Sequence, residues 1–161
     1  MTTDTTQDEK YIRRAVELAT ANVTTKAGGP FGCVIVKDGT VLAEGENRVT
    51  GTSDPTAHAE IVAIRRACGR LGTHQLDGAV LYSSTLPCPM CLAAIYWARP
   101  ERVVYACTAE DAAAAGFDDA LIYDELAKPM AQRQIPMSQL LRDEGLASFE
   151  LWKRSLERVH Y

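Results

Sequence analysis

No stretch of this 161-residue sequence is long and apolar enough to span a bilayer. Its opening, MTTDTTQDEK, has neither the basic start nor the apolar core of a secretion signal. A membrane anchor and an export route are therefore not expected, and a soluble cytoplasmic protein is. Nor is there a bank of positive charge. The 17 Lys and Arg are scattered against 21 Asp and Glu, for a net charge of −4 and a pI of 5.4. A protein that tracks a polyphosphate backbone normally shows a basic face, so nucleic acid is disfavoured as a partner. Cysteine is sparse and odd in number, five residues without a secretion signal, which excludes a disulfide framework and leaves thiols or metal ligands. Repeats and low-complexity linkers are missing too, and the length and 47% apolar content suit one continuous domain over residues 1–161.

What is present is an alternation of helical and strand patterns. After a polar tip of seven residues, expected to be disordered, EKYIRRAVELATANV places Ile12, Ala15, Val16, Leu18 and Ala19 near one helical stripe. FGCVIVKDGTVLAEGENRV reads as two strands joined at Asp38-Gly39, a dipeptide that tolerates positive φ. A helix follows from Thr56 to about Arg70, then a short buried strand at 79–84. A proline-started helix at 89–98 and a strand at 102–108 complete the order α-β-β-α-β-α-β, and the remainder is helix-prone. That order implies a mixed sheet covered by helices on both faces. Cys33, Cys68 and Cys107 lie among apolar neighbours and read as buried core thiols.

The other two cysteines, Cys88 and Cys91, stand three apart at the start of a helix, on one face, where the helix terminus favours the thiolate. Alone, such a pair is equally a redox dithiol, half of a closed zinc site or two core residues. His58, one of only three histidines, alters the weighing because it too opens a helix that follows β-rich sequence. Two sulfurs and one nitrogen hold a zinc ion while leaving its fourth position open, and no second Cys-x-x-Cys exists to close the set. Glu60, two residues past His58, points in a different direction on the helix, beside the metal rather than onto it. A carboxylate there suits the general acid/base role for a zinc-activated water. His58-Ala59-Glu60 with Pro87-Cys88-Pro89-Met90-Cys91 matches the H-x-E…P-C-x-x-C signature of zinc nucleobase deaminases.

On those residues, and on GGPFGCVIVKDG, EGENRVT, DPTAHAE, CPMCLAAIYWARP and DAAAAGFDDALIYDELAKP, nearly the whole chain resembles the cytidine deaminase-like superfamily, and within it the bacterial guanine deaminases. The resemblance implies a three-layer α/β/α fold around a mixed sheet of about five strands. It implies one zinc ion on His58, Cys88 and Cys91, with Glu60 as proton shuttle. Asn47 and the Ala59 backbone would hold the base, Phe31 would wall the pocket, and Asp119 would engage the amino group and relay a proton. A homodimer follows, with the helical segment from about 136 to 161 exchanged so that Tyr161 closes the site. From the residues alone, Asn47 is equally a turn residue, Asp118-Asp119 a helix cap, Phe31 core and Tyr161 a frayed end. Trp97 and Trp152 read as core or interface aromatics.

The expected reaction converts guanine to xanthine and ammonia. Other readings are deamination of cytosine, a triazine, guanosine or a pterin, a tRNA adenosine deaminase, and a non-catalytic zinc-stabilised binding module. One departure bears on the choice: Thr85-Leu86 stand where guanine deaminases usually carry Cys-Glu.

Overall fold

The computed structural model describes residues 5–160, which fall into two compact units, one ending at Asp119 and one beginning at Ala120. The first is built on a Val- and Ile-rich strand, β1 (Gly32–Lys37), which is buried at five of its six positions. Asp38 and Gly39 take φ of 49° and 71°, giving the tight turn their side chains permit, and pair Lys37 with Thr40 at the mouth of a hairpin with β2 (Thr40–Glu46). β3 (Ala79–Thr85) runs antiparallel to β1, and β4 (Arg102–Cys107) lies parallel to β3. The sheet is therefore mixed, in the order β2-β1-β3-β4.

Four strands are found among the described residues where about five were expected. Past Cys107 the chain has no β-rich run left. Thr108 and Asp111 form a reciprocal capping box that starts helix α5 (Ala109–Ala114), and the alanines behind it favour helix over strand.

The period of two along each strand sorts the core into two layers. Val34, Val36 and Tyr82 face α1 (Thr5–Thr24), where they meet Tyr11, Ala15 and Leu18. Cys33, Ile35 and Leu81 face the other way, toward Ala59, Ala63 and Ala67 of α3 (Ala59–Leu71) and Ile95 and Ala98 of α4 (Pro89–Ala98). A one-turn helix, α2 (Val49–Thr52), links β2 to α3. The result is the three-layer α/β/α arrangement read from the sequence.

Two details correct that reading. Helix α1 begins at Thr5, so Thr5, Thr6 and Gln7 belong to its first turn rather than to a disordered tip. Asp8 accounts for this: Arg102 donates to both of its oxygens at 2.7 and 2.9 Å, and the Tyr82 hydroxyl donates at 2.7 Å, tying the helix start to β3 and β4. The Arg102 hydrogen bonds hold the Asp8 carboxyl below its usual range. Of the three cysteines read as core, only Cys33 is buried; Cys68 is half-buried and Cys107 is exposed, because β4 is an edge strand whose end nothing in its unit covers.

Gly45 fixes how closely α3 approaches the sheet. A Cβ there would stand 2.2 Å from the Ala59 carbonyl oxygen and 2.7 Å from the Ala63 nitrogen, both backbone atoms that cannot swing aside. Gly45→Ala is accordingly expected to destabilise the fold by about 1–3 kcal/mol, the usual range for overpacking a tight contact. Thermal denaturation reads this as a lowered Tm, and an unchanged Tm would mean that α3 is not seated as described.

The second unit contains α6 (Ala120–Ala127), a 3-10 turn at Met130–Gln132 and α7 (Arg142–Arg154). Glu125 organises the turn between the helices, accepting from Lys128 at 2.6 Å and from the Gln134 backbone at 2.7 Å. None of its described residues is buried, and Leu121, Leu126, Leu140, Leu151 and Trp152 are exposed. Among the described residues no helix is long and apolar enough to cross a membrane.

Candidate active site and metal centre

Strand direction decides which residues can meet. β2, β3 and β4 end at the edge of the sheet where β1 begins, since Gly32 pairs with Glu46, Cys33 with Ser83, and Thr85 with Cys107. Phe31, Asn47 and the loop leading to Cys88 therefore collect at one edge, as do the starts of α3 and α4. His58 is the N-cap of α3 and Cys88 the N-cap of α4, both with extended backbone, and neither uses its side chain to cap its helix. Those side chains meet each other instead.

His58 Nδ1 lies 3.5 Å from Cys88 Sγ and 3.5 Å from Cys91 Sγ. The three ligand atoms all lie within 4.8 Å of one another. Zinc bonds of about 2.0–2.3 Å at tetrahedral angles put neighbouring ligand atoms about 3.5–3.8 Å apart, so the donor set fits that ion in both chemistry and spacing. The group comprises these three residues only, which leaves one tetrahedral position without a protein ligand among the described residues.

Electrostatics agree with the spacing. Hydrogen bonds from Cys91 and from His58 push the Cys88 thiol down to about 4 despite its burial. Cys91 moves the opposite way, because it donates to Cys88 and is itself buried. His58 is raised by its hydrogen bond to Cys88. Two helix N-termini aimed at the cluster further favour negative sulfur.

Glu60 stands beside the cluster, not in it. Its carboxyl is 6% exposed, and burial raises its pKa above the ordinary carboxylate range. Oε2 is 3.5 Å from Cys91 Sγ, so the acid touches the cluster while remaining outside the group of three. Asn47 is buried just past the end of β2, and its Oδ1 accepts from the Val49 nitrogen at 3.2 Å. Phe31 packs edge-to-face on Phe117 with ring centres 4.9 Å apart. Asp119 is half-buried, and its pKa is raised by that burial and by the charge on Cys88, which puts it within electrostatic reach of the cluster. Ala59 is fully buried at the first turn of α3. Tyr161 lies outside the described residues. Trp97, at 61% exposure, and Trp152, at 43%, are not core.

Two buried residues escaped the sequence reading. Asn22 donates to the carbonyls of Asn47 at 2.8 Å and Gly29 at 2.9 Å, bracing the loop around Asn47. Ser83 donates to Glu60 Oε1 at 3.3 Å. The strand ending Tyr82-Ser83-Ser84-Thr85 carried a signal for the latter, since a run of hydroxyls on a buried strand must find partners.

Residues 5–107 match the family model of the cytidine and deoxycytidylate deaminase zinc-binding region. The chain belongs to that deaminase family. Among its relatives, the guanine deaminase of Bacillus subtilis (strain 168) is 54% identical over 153 residues, spanning 95% of this chain and 98% of that protein. The X-ray structure of guanine deaminase from Bacillus subtilis superimposes with a TM-score of 0.93 over the same shares of the two chains. A guanine deaminase structure from Nitrosomonas europaea, 32% identical, gives 0.65 over 88% of this chain and 81% of that one. The tRNA-specific adenosine deaminase of Bacillus subtilis is 40% identical over 100 residues, 62% of each chain. The family's zinc-binding region includes His58, Cys88 and Cys91, the cluster whose ligand atoms could hold the ion.

Proposed function

We propose that this protein hydrolyses guanine to xanthine and ammonia. The observation that carries the reading is the extent of the likeness to a guanine deaminase. It runs at 54% identity over 95% of the chain, well past residue 107 where the shared zinc-binding region stops.

Bound by His58, Cys88 and Cys91, zinc supplies an open position at which water becomes acidic enough to attack near neutral pH. The chain's own residues do the rest. The Asn47 amide and the Ala59 backbone N–H hold the carbonyl of the base, and Phe31 with Phe117 walls one side of the ring. As the water oxygen bonds to the amino-bearing carbon, Glu60 receives its proton on Oε2 and passes it to the adjacent ring nitrogen. Glu60 then takes the remaining proton of the added hydroxyl and gives it to the amine, so that the C–N bond breaks, ammonia leaves and the hydroxyl oxygen becomes the new carbonyl. Asp119, whose carboxyl is raised above its usual range by burial, engages that amine.

A tRNA substrate is the second reading, favoured by the 40% identity to a tRNA-specific adenosine deaminase. That likeness covers 62% of the chain, and a net charge of −4 does not favour a polyanion. Thr85 and Leu86, just before Pro87 and Cys88, replace the acidic Cys-Glu pair usual in guanine deaminases, which bears on the choice among aminated bases. Ammonia release from the zinc-loaded protein is the test, run over guanine, guanosine, cytosine, adenine and tRNA. Guanine is expected to lead in kcat/KM by at least about 100-fold, the scale on which a site built around one set of hydrogen bonds rejects its analogues. A higher value on any other member of the panel overturns the assignment.

The same reading makes the protein a cytoplasmic homodimer with exchanged C-terminal segments, in which Tyr161 closes the partner's pocket. Support comes from the second unit itself, whose apolar Leu121, Leu126, Leu140, Leu151 and Trp152 lie exposed in a single chain. Light scattering behind a sizing column is expected to give twice the 17.6 kDa chain mass. A monomer at micromolar concentration contradicts the exchange.

A further inference from the structure

We propose that Ser83 is the positioning residue for Glu60: its hydroxyl pins Oε1 of the carboxylate so that Oε2 is the oxygen that carries the proton. This rests on the reading of Glu60 as the proton carrier of a deaminase.

Ser83 and Glu60 are 2% and 6% exposed, so water does not compete for their contact. Ser83 lies on the sheet face that carries Leu81 and Cys33, the face on which α3 packs, and Cys33 is its cross-strand partner. A serine hydroxyl has one proton and two lone pairs. The Thr85 amide approaches the lone-pair side at 3.5 Å, and the proton is directed to Glu60 Oε1 at 3.3 Å. The hydrogen bond thus has a fixed direction, from strand to acid.

The two carboxylate oxygens are not equivalent. Oε1 faces Ser83, whereas Oε2 faces Cys91 Sγ at 3.5 Å. The Cys91 contact depends on a thiol proton, which is given up when a cysteine becomes a metal ligand. Ser83 holds its proton in either state, so with metal bound it is the side-chain donor that remains on the carboxylate. An acid that must accept and return a proton at a fixed place needs one oxygen held and the other unencumbered. A misplacement of about 1 Å at such a group is enough to cost about 100-fold in rate.

The test uses the zinc-loaded full-length protein and three variants: S83A, S83T and S83V. Thr and Val have the same shape and add the same methyl group, so they differ only by the hydroxyl. With guanine, S83A and S83V are expected to lose about 10- to 100-fold in kcat, the usual cost of removing an outer partner, with KM within about twofold and zinc still bound. S83T is expected to recover most of the loss relative to S83V. Crystal structures of zinc-loaded parent and S83A supply a readout that needs no turnover: the Glu60 carboxylate is expected to be rotated or split between orientations in S83A. Parental kcat in S83A, equal behaviour of S83T and S83V, or an unmoved carboxylate overturns the proposal. If the parent releases no ammonia from guanine, the assignment of substrate fails, and the carboxylate's orientation alone still decides the role of Ser83.

Discussion

Glu60→Gln is expected to retain one zinc per chain and to lower kcat by about 10²- to 10⁴-fold, the contribution of a positioned proton carrier. Glutamine has nearly the shape of the native side chain and still offers an oxygen to the Ser83 hydroxyl, which reaches Oε1 at 3.3 Å in the parent. Only the capacity to take up and return a proton is removed. Glu60 lies outside the group His58, Cys88 and Cys91, so metal content should not follow activity down. Paired assays of ammonia release and zinc content separate the two. A variant that turns over like the parent assigns the proton transfer elsewhere, and one that loses zinc makes Glu60 a ligand.

Cys91→Ala is expected to abolish both properties. Cys91 has no solvent exposure, and its sulfur lies 3.5 Å from His58 Nδ1, so no water can replace it without entering a closed space. Altering a group that merely contacts a ligand typically costs about 10- to 100-fold in metal affinity, and removing the ligand itself should exceed that. Because a ligand that binds the folded state stabilises it, the parent's Tm should rise on adding zinc. The variant's Tm should stay where it is. Full zinc loading of the purified variant by elemental analysis would mean that the cysteine belongs to the core and not to the centre.

Most of this site was legible in the sequence because its parts announce themselves locally. His58 and Cys88 each precede a helical pattern, and a residue just outside a helix start has the extended backbone that turns its side chain across the terminus. Asp38-Gly39 specified the hairpin, since few other dipeptides take positive φ at both positions. The hairpin in turn sets the antiparallel direction of β1 against β2, and with it the end of the sheet at which Phe31 and Asn47 lie.

What stayed hidden depends on contacts far apart in the chain. The Asp8–Arg102 pair spans 94 residues, and without it the polar start of α1 reads as a loose end. The exposure of Cys107 follows from the position of β4 at the sheet edge, which no local pattern records. Ser83 and Asn22 read as ordinary polar residues until the fold sets them against Glu60 and Asn47. The fifth strand was an inference from kinship, and the alanines after Thr108 outweigh it.

X-ray absorption at the zinc edge tests the centre most directly, because it counts the neighbours of the ion without reference to any substrate. Two sulfur scatterers at about 2.3 Å and two lighter ones at about 2.0–2.1 Å are the expected shell. Four light neighbours, four sulfurs or protein that takes up no zinc would contradict a reactive centre held by His58, Cys88 and Cys91.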